Sequence, residues 1–142
     1  MKKLFGLIAV AFTFLFALVG CAQTLSSGSL KSGLQNNGYS VTEFTPAEYE
    51  VYSDGAMEAS KIPGLQVVLQ ATKGETVKGA LLLFVFDNTN HASDMMTGDY
   101  LSMLNNFGER AKDNDQTSTM GSHNNVVWAG SATARNAAGI KI

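Results

Sequence analysis

The sequence predicts one small α+β domain: a mainly antiparallel sheet of about four strands, with helices packed mainly on one face. Three observations carry that expectation. Leu65 to Ala71 alternates apolar residues with Gln66 and Gln70, while Leu81 to Phe86 (LLLFVF) is apolar on both parities. Between about Ala92 and Lys112, the residues Met96, Tyr100, Met103, Leu104, Phe107 and Ala111 recur at three- and four-residue spacings, the stripe of a helix with one buried face. Thr45-Pro46-Ala47-Glu48 has the form of a capping box with proline at the first helical position.

The elements follow in order. Ser29 to Gln35 predicts a short helix with Leu30 and Leu34 on one face, stopped by Asn36-Asn37-Gly38, residues that tolerate the left-handed conformation of a C-cap. Tyr39 to Phe44 alternates as a short strand. The helix opened by Thr45 is interrupted near Gly55, and Pro63-Gly64 closes the segment before the Leu65–Ala71 strand. The turn around Lys73-Gly74-Glu75 leads into Leu81–Phe86, and these two strands are expected to form an antiparallel hairpin with the second at the centre of the sheet. Asp87-Asn88-Thr89-Asn90 breaks that strand with turn and cap residues. The long helix ends with Arg110 and Lys112 at the negative end of its dipole. Asp113 to Asn124 reads as a polar loop, Asn125 to Ala129 as a last strand, and Ser131 as the cap of a final helix ending at Gly139. A ferredoxin-like split βαβ arrangement is compatible with this order.

Ahead of the domain, Met1-Lys2-Lys3 precedes the apolar run Leu4 to Leu18. Those 15 residues rise about 22 Å as a helix, short of a roughly 30 Å hydrocarbon core. A basic start, a short apolar run and small residues behind it read as a secretory signal. The run ends in Leu18-Val19-Gly20-Cys21. This tetrapeptide resembles the lipobox of bacterial lipoproteins. The resemblance implies a diacylglyceryl group on the Cys21 thiol and cleavage between Gly20 and Cys21, which would leave Cys21 as the first mature residue. It covers only the first 21 residues. The resulting division is a signal peptide over 1–20, a lipid-anchored tether of small polar residues over 21–29 and one domain over 30–142. The address implied is the cell envelope: the outer membrane where the organism has one, otherwise the outer face of the cytoplasmic membrane.

Charge and composition narrow the function classes. Lys2 and Lys3 lie in the signal segment, leaving 8 basic against 12 acidic residues behind it. An acidic domain is a poor match for nucleic acid, whose phosphates need a basic face. The single cysteine, Cys21, permits no internal disulfide and no cysteine-rich zinc site. The sequence contains no GxxxxGK, GxSxG, SxxK, HExxH or CxxC motif.

Three weaker constellations remain. His91 and His123 with Met95, Met96, Met103 and Met120 are soft ligands of the kind that select Cu(I), but their spacing does not repeat and the helix stripe accounts for Met96 and Met103 as core. Asp113-Asn114-Asp115-Gln116-Thr117 begins like a calcium loop, yet Ser118 and Asn124 stand where such a loop wants glycine and glutamate. Among the aromatic residues, Tyr100 and Trp128 are expected in the core, whereas Tyr49 and Tyr52, three residues apart beside acidic residues, form a candidate contact surface. The expectation is a lipid-anchored envelope domain that binds an envelope protein or a small ligand. It assigns no catalytic residue, no metal and no cofactor beyond the acyl lipid on Cys21. A small envelope hydrolase and a metal-binding sensor or carrier are the alternatives.

Overall fold

A computed structural model of the chain describes residues 24–142, so the expected signal segment 1–20 and the expected lipidation position Cys21 lie outside the described residues. In chain order the elements are α1 (Ser27–Asn36), β1 (Ser40–Phe44), α2 (Pro46–Tyr52), a 3₁₀ turn (Ala59–Lys61), β2 (Leu65–Thr72), β3 (Leu81–Phe86), α3 (Thr89–Met95), α4 (Leu101–Ala111), β4 (Met120–His123), β5 (Val126–Gly130) and α5 (Ala132–Ala138). They make a single α+β domain around an open five-stranded sheet in the order β1-β2-β3-β5-β4, every neighbouring pair antiparallel.

The parity of β3 explains the layering. Leu81, Leu83 and Val85 point to one side of the sheet, where they pack with Leu30 and Leu34 of α1, Trp128 of β5 and Ala134 and Ala138 of α5. Leu82, Phe84 and Phe86 point to the other side, against Tyr49 of α2, Met57, Ala92 and Met95 of α3, and Leu104 of α4. All six β3 side chains are buried, as a central strand covered on each face requires. The sheet is therefore sandwiched. Three helices lie on one face, and two more close the face that the sequence pattern left largely open. β2 is covered on both sides as well, since Val68 and Leu69 are both fully buried.

The ferredoxin-like arrangement is not found, because β1, α2 and β2 form an antiparallel neighbouring pair instead of a parallel one with a strand between. Two local readings also change. The helix expected over 92–112 is two helices, broken at Thr97-Gly98-Asp99, where the Thr97 hydroxyl donates to the Asp94 carbonyl at 3.0 Å. The expected polar loop contains β4, paired with β5 across a two-residue turn in which Asn124 adopts φ 53°. At the start of the domain, α1 begins at Ser27 with Ser26 as its N-cap, inside the segment expected to be tether. The backbone of Leu25 is tied to the Asn125 side chain: its N–H donates to Oδ1 at 2.6 Å and its carbonyl accepts from Nδ2 at 3.0 Å.

Candidate functional site

The feature with most chemical potential lies where β3 hands over to α3. β3 ends at Phe86, and Asn88 caps α3 by accepting from the His91 N–H at 2.9 Å. One turn of helix then brings His91 Nδ1 to 2.6 Å from Asp87 Oδ1. The Asn88 amide nitrogen lies 3.2 Å from the same ring atom, and the shorter contact to the carboxylate governs. In the neutral ring this assigns the proton to Nδ1 and leaves Nε2 with a free lone pair.

Gly64 makes room for the pair. The Asp87 N–H donates to the Gly64 carbonyl at 2.9 Å, and Gly64 has φ +76°. A Cβ there would collide with both the His91 ring and the Asp87 carboxylate. Pro63-Gly64 is thus more than a stop before β2, since it forms the floor on which the His–Asp pair rests.

His91 lines a cleft of about 210 Å³ walled by Ile62, Pro63, Met95 and Tyr100, with Asp94 and Asp99 at its rim. The Tyr100 hydroxyl accepts from the Glu58 N–H at 3.0 Å, fastening the α3–α4 joint to the segment before the 3₁₀ turn. Lys61 pairs with Glu58 at 3.4 Å beside the same cleft, an exposed pair of small energetic weight. The arrangement offers an apolar wall, a hydrogen-bond acceptor at Nε2 and several carboxylates. Among the described residues the His91 ring hydrogen-bonds to Asp87 and to no hydroxyl group. A second hollow of about 180 Å³ lies under α4, lined by Tyr49, Met57, Phe84, Met103 and Phe107.

The tyrosines proposed as a contact surface part company. Tyr49 is buried at 6% exposure, edge-on to Phe44 and to Phe84 with ring centroids 5.5 and 5.8 Å away. Tyr52 is 56% exposed, stacks obliquely on Phe44 at 4.8 Å, and its hydroxyl accepts from Gln70 Nε2 at 3.2 Å. Tyr49 therefore belongs to the core, and of the two tyrosines only Tyr52, beside exposed Val51, reaches the surface. Burial, and secondarily Tyr52 beside it, pushes the Tyr49 phenol above its ordinary value.

The histidine–methionine set is dispersed. His91 and Met95 share the cleft, Met103 lines the second hollow, and Met120 and His123 lie on β4. Among the described residues no group of three or more His, Cys, Asp or Glu side chains is placed to hold a metal ion. The loop weighed for calcium has another use. Asp113 accepts from Ser131 and Thr133, and Gln116 Oε1 accepts from the N–H groups of Asp113 and Ala132 at 2.9 and 2.8 Å. Those oxygens cap α5.

Sequence reasoning noticed His91 but not its partners. Asp87 and Gly64 carry no motif, and the only local signal was the four-residue step from Asp87 to His91 across a strand end and a helix start. Comparison of the chain with protein-family models, with curated proteins and with solved structures finds no significant match.

Proposed function

We propose that the chain is a lipid-anchored protein of the bacterial cell envelope whose single domain binds a small ligand or an envelope partner. The observation that carries this reading is the Leu18-Val19-Gly20-Cys21 sequence directly behind the apolar run, with the chain's single thiol at its end. Two acyl chains on that thiol hold a protein to a bilayer stably, where one chain is marginal. Binding rather than turnover is supported by the cleft, which presents an apolar wall and fixed polar groups and, among the described residues, places no hydroxyl group on His91.

The anchor is tested by Cys21→Ser in the producing cell. The expected result is a chain that keeps its signal peptide or leaves the membrane, with loss of the lipid mass. A mutant with wild-type mass and membrane attachment overturns the reading. Ligand binding is tested by thermal melts of the purified protein against wall fragments, sugars, metals and small metabolites. A ligand at about 100 times its dissociation constant adds roughly 2.7 kcal/mol.

The His91–Asp87 pair favours a second reading, a small hydrolase in which Nε2 takes a proton from a bound water. Turnover of an envelope ester or wall fragment, abolished in His91→Gln, would establish it. A ligand-dependent melt without turnover supports binding.

A further inference from the structure

Resting on the lipid-anchor reading, we infer that the domain is held with one end of its sheet toward the lipid surface, and that this is the end at which the His91–Asp87 pair sits. The reach of the chain decides it. Among the described residues Leu25 is the first fastened to the domain, through both of its backbone polar groups. The fastening is firm, because Asn125 is 2% exposed and also donates to the Phe86 carbonyl at 2.9 Å. Cys21 and Leu25 are four residue steps apart, about 14 Å at full extension. A domain of this size has a radius of gyration of about 13 Å and a diameter near 35 Å. A tether running to residue 29 would approach that diameter and let the domain turn over. Four steps do not.

The sheet register says what lies at the fastened end. Asn125 precedes Val126, the first residue of β5, which pairs with Val85 next to the end of β3 and with His123 at the end of β4. Leu65, the start of β2, pairs with Phe86. Gly64, Asp87 and His91 therefore share this end with Leu25, while the β2–β3 turn with Lys73 and Glu75 lies a strand length, about 20 Å, away. The cleft carries carboxylates at Asp94 and Asp99. Against an anionic bilayer their repulsion decays over roughly 8 Å, so a leash of about 14 Å accommodates it as a thin water gap instead of a reversal of the domain. The partner surface assigned to this end is the lipid headgroup layer.

The test uses the full lipidated chain in vesicles of phosphatidylcholine and phosphatidylglycerol doped with a headgroup-quenched lipid. A cysteine is introduced singly at exposed Ser93 or Ser122, at the fastened end, and at exposed Gln35 or Glu75, at the other, then labelled with a maleimide fluorophore. The thioether at Cys21 does not react, so each label reports one site. Expected is several-fold stronger quenching at Ser93 and Ser122 than at Gln35 and Glu75, with the difference erased by inserting a long Gly/Ser linker between Gln23 and Thr24. Equal quenching at all four sites, in protein whose mass includes the lipid, overturns the orientation while leaving the anchor intact. Protein without the lipid mass and without quenching anywhere overturns the anchor reading, and the orientation with it.

Discussion

Asp113, at the exit of α4, closes the first turn of α5 through Thr133, twenty residues further on: one carboxylate oxygen accepts from the Thr133 N–H at 2.8 Å and from its hydroxyl at 2.6 Å. The other oxygen accepts from the Ser131 hydroxyl at 2.7 Å, and Ser131 caps α5 by accepting from the Ala134 N–H. Burial alone would raise the Asp113 carboxyl. The hydrogen bonds from Thr133 and Ser131, with Lys78 adding its charge, outweigh it and hold the group below its ordinary value. A segment that looked like a solvated loop is thereby a fastening between two helices.

Asp113→Ala is expected to cost about 2 kcal/mol, because it strands the Ser131 hydroxyl and a helix N-terminal N–H together. A depressed carboxyl stabilises the folded state above its unfolded pKa of roughly 3.9, and that contribution is lost as pH falls through the lower folded value. The stability gap between wild type and Asp113→Asn should therefore be full at neutral pH and shrink below about pH 4. Denaturant melts from pH 7 to pH 3 measure it, and a constant gap would refute this account.

Gly64 and Gly55 provide a matched pair, with φ +76° and +75°. A Cβ on Gly55 meets nothing within 4 Å, whereas one on Gly64 collides with His91 and Asp87. Gly55→Ala should cost only the left-handed backbone penalty, about 1 kcal/mol, and Gly64→Ala about 3 kcal/mol once the His–Asp pair is displaced. The two melting temperatures compare them directly. Equal shifts would mean that the pair does not rest on Gly64.

Tyr49 and Tyr52 should respond unequally to truncation. Tyr49→Ala opens a cavity against Phe44 and Phe84 and is expected to cost 3–5 kcal/mol, while Tyr52→Ala should cost below about 1 kcal/mol. The raised Tyr49 phenol adds a pH dependence: its contribution is full below the unfolded value near 10 and declines as pH rises beyond it. Tyr39 is raised too, by burial and by the Asp113 charge, so ultraviolet titration of Tyr49→Phe against wild type would show one of two late-titrating phenols disappear.

Asn125→Ala is expected to cost about 2–4 kcal/mol, since it removes a partner from the Leu25 N–H, the Leu25 carbonyl and the Phe86 carbonyl at once. Asn125→Asp should be worse, because a buried carboxylate faces two carbonyls to which the amide had donated. Hydrogen exchange of the first α1 amides should accelerate in both variants. Unchanged exchange there would show that α1 holds its start without Asn125.

Several elements were legible because their signals are local. Thr45 and Glu48 satisfy each other's backbone N–H groups at 3.2 and 2.8 Å, as the capping-box pattern predicts. The β2–β3 hairpin and the Ser131-to-Gly139 limits of the last helix also follow from short-range residue preferences. β4 was missed because Met120 to His123 is short and weakly apolar; it is a strand only through its pairing with β5. The break at Gly98 was missed because the apolar stripe continues through it in phase. The His–Asp cleft was missed because it joins residues 64, 87 and 91, and neither Gly64 nor Asp87 carries a motif.

By itself the sequence determined the single-domain α+β class and the central place of the LLLFVF strand. Each is written in one contiguous stretch whose periodicity or spacing has a direct physical meaning. Only the tertiary structure decided that helices close both faces, that Tyr49 is core while Tyr52 is surface, and that Asn125 gathers Leu25 to the end of the sheet where His91 meets Asp87. Those outcomes depend on which distant segment supplies the missing hydrogen-bond partner or the covering apolar surface. No local pattern encodes that choice; the fold as a whole makes it.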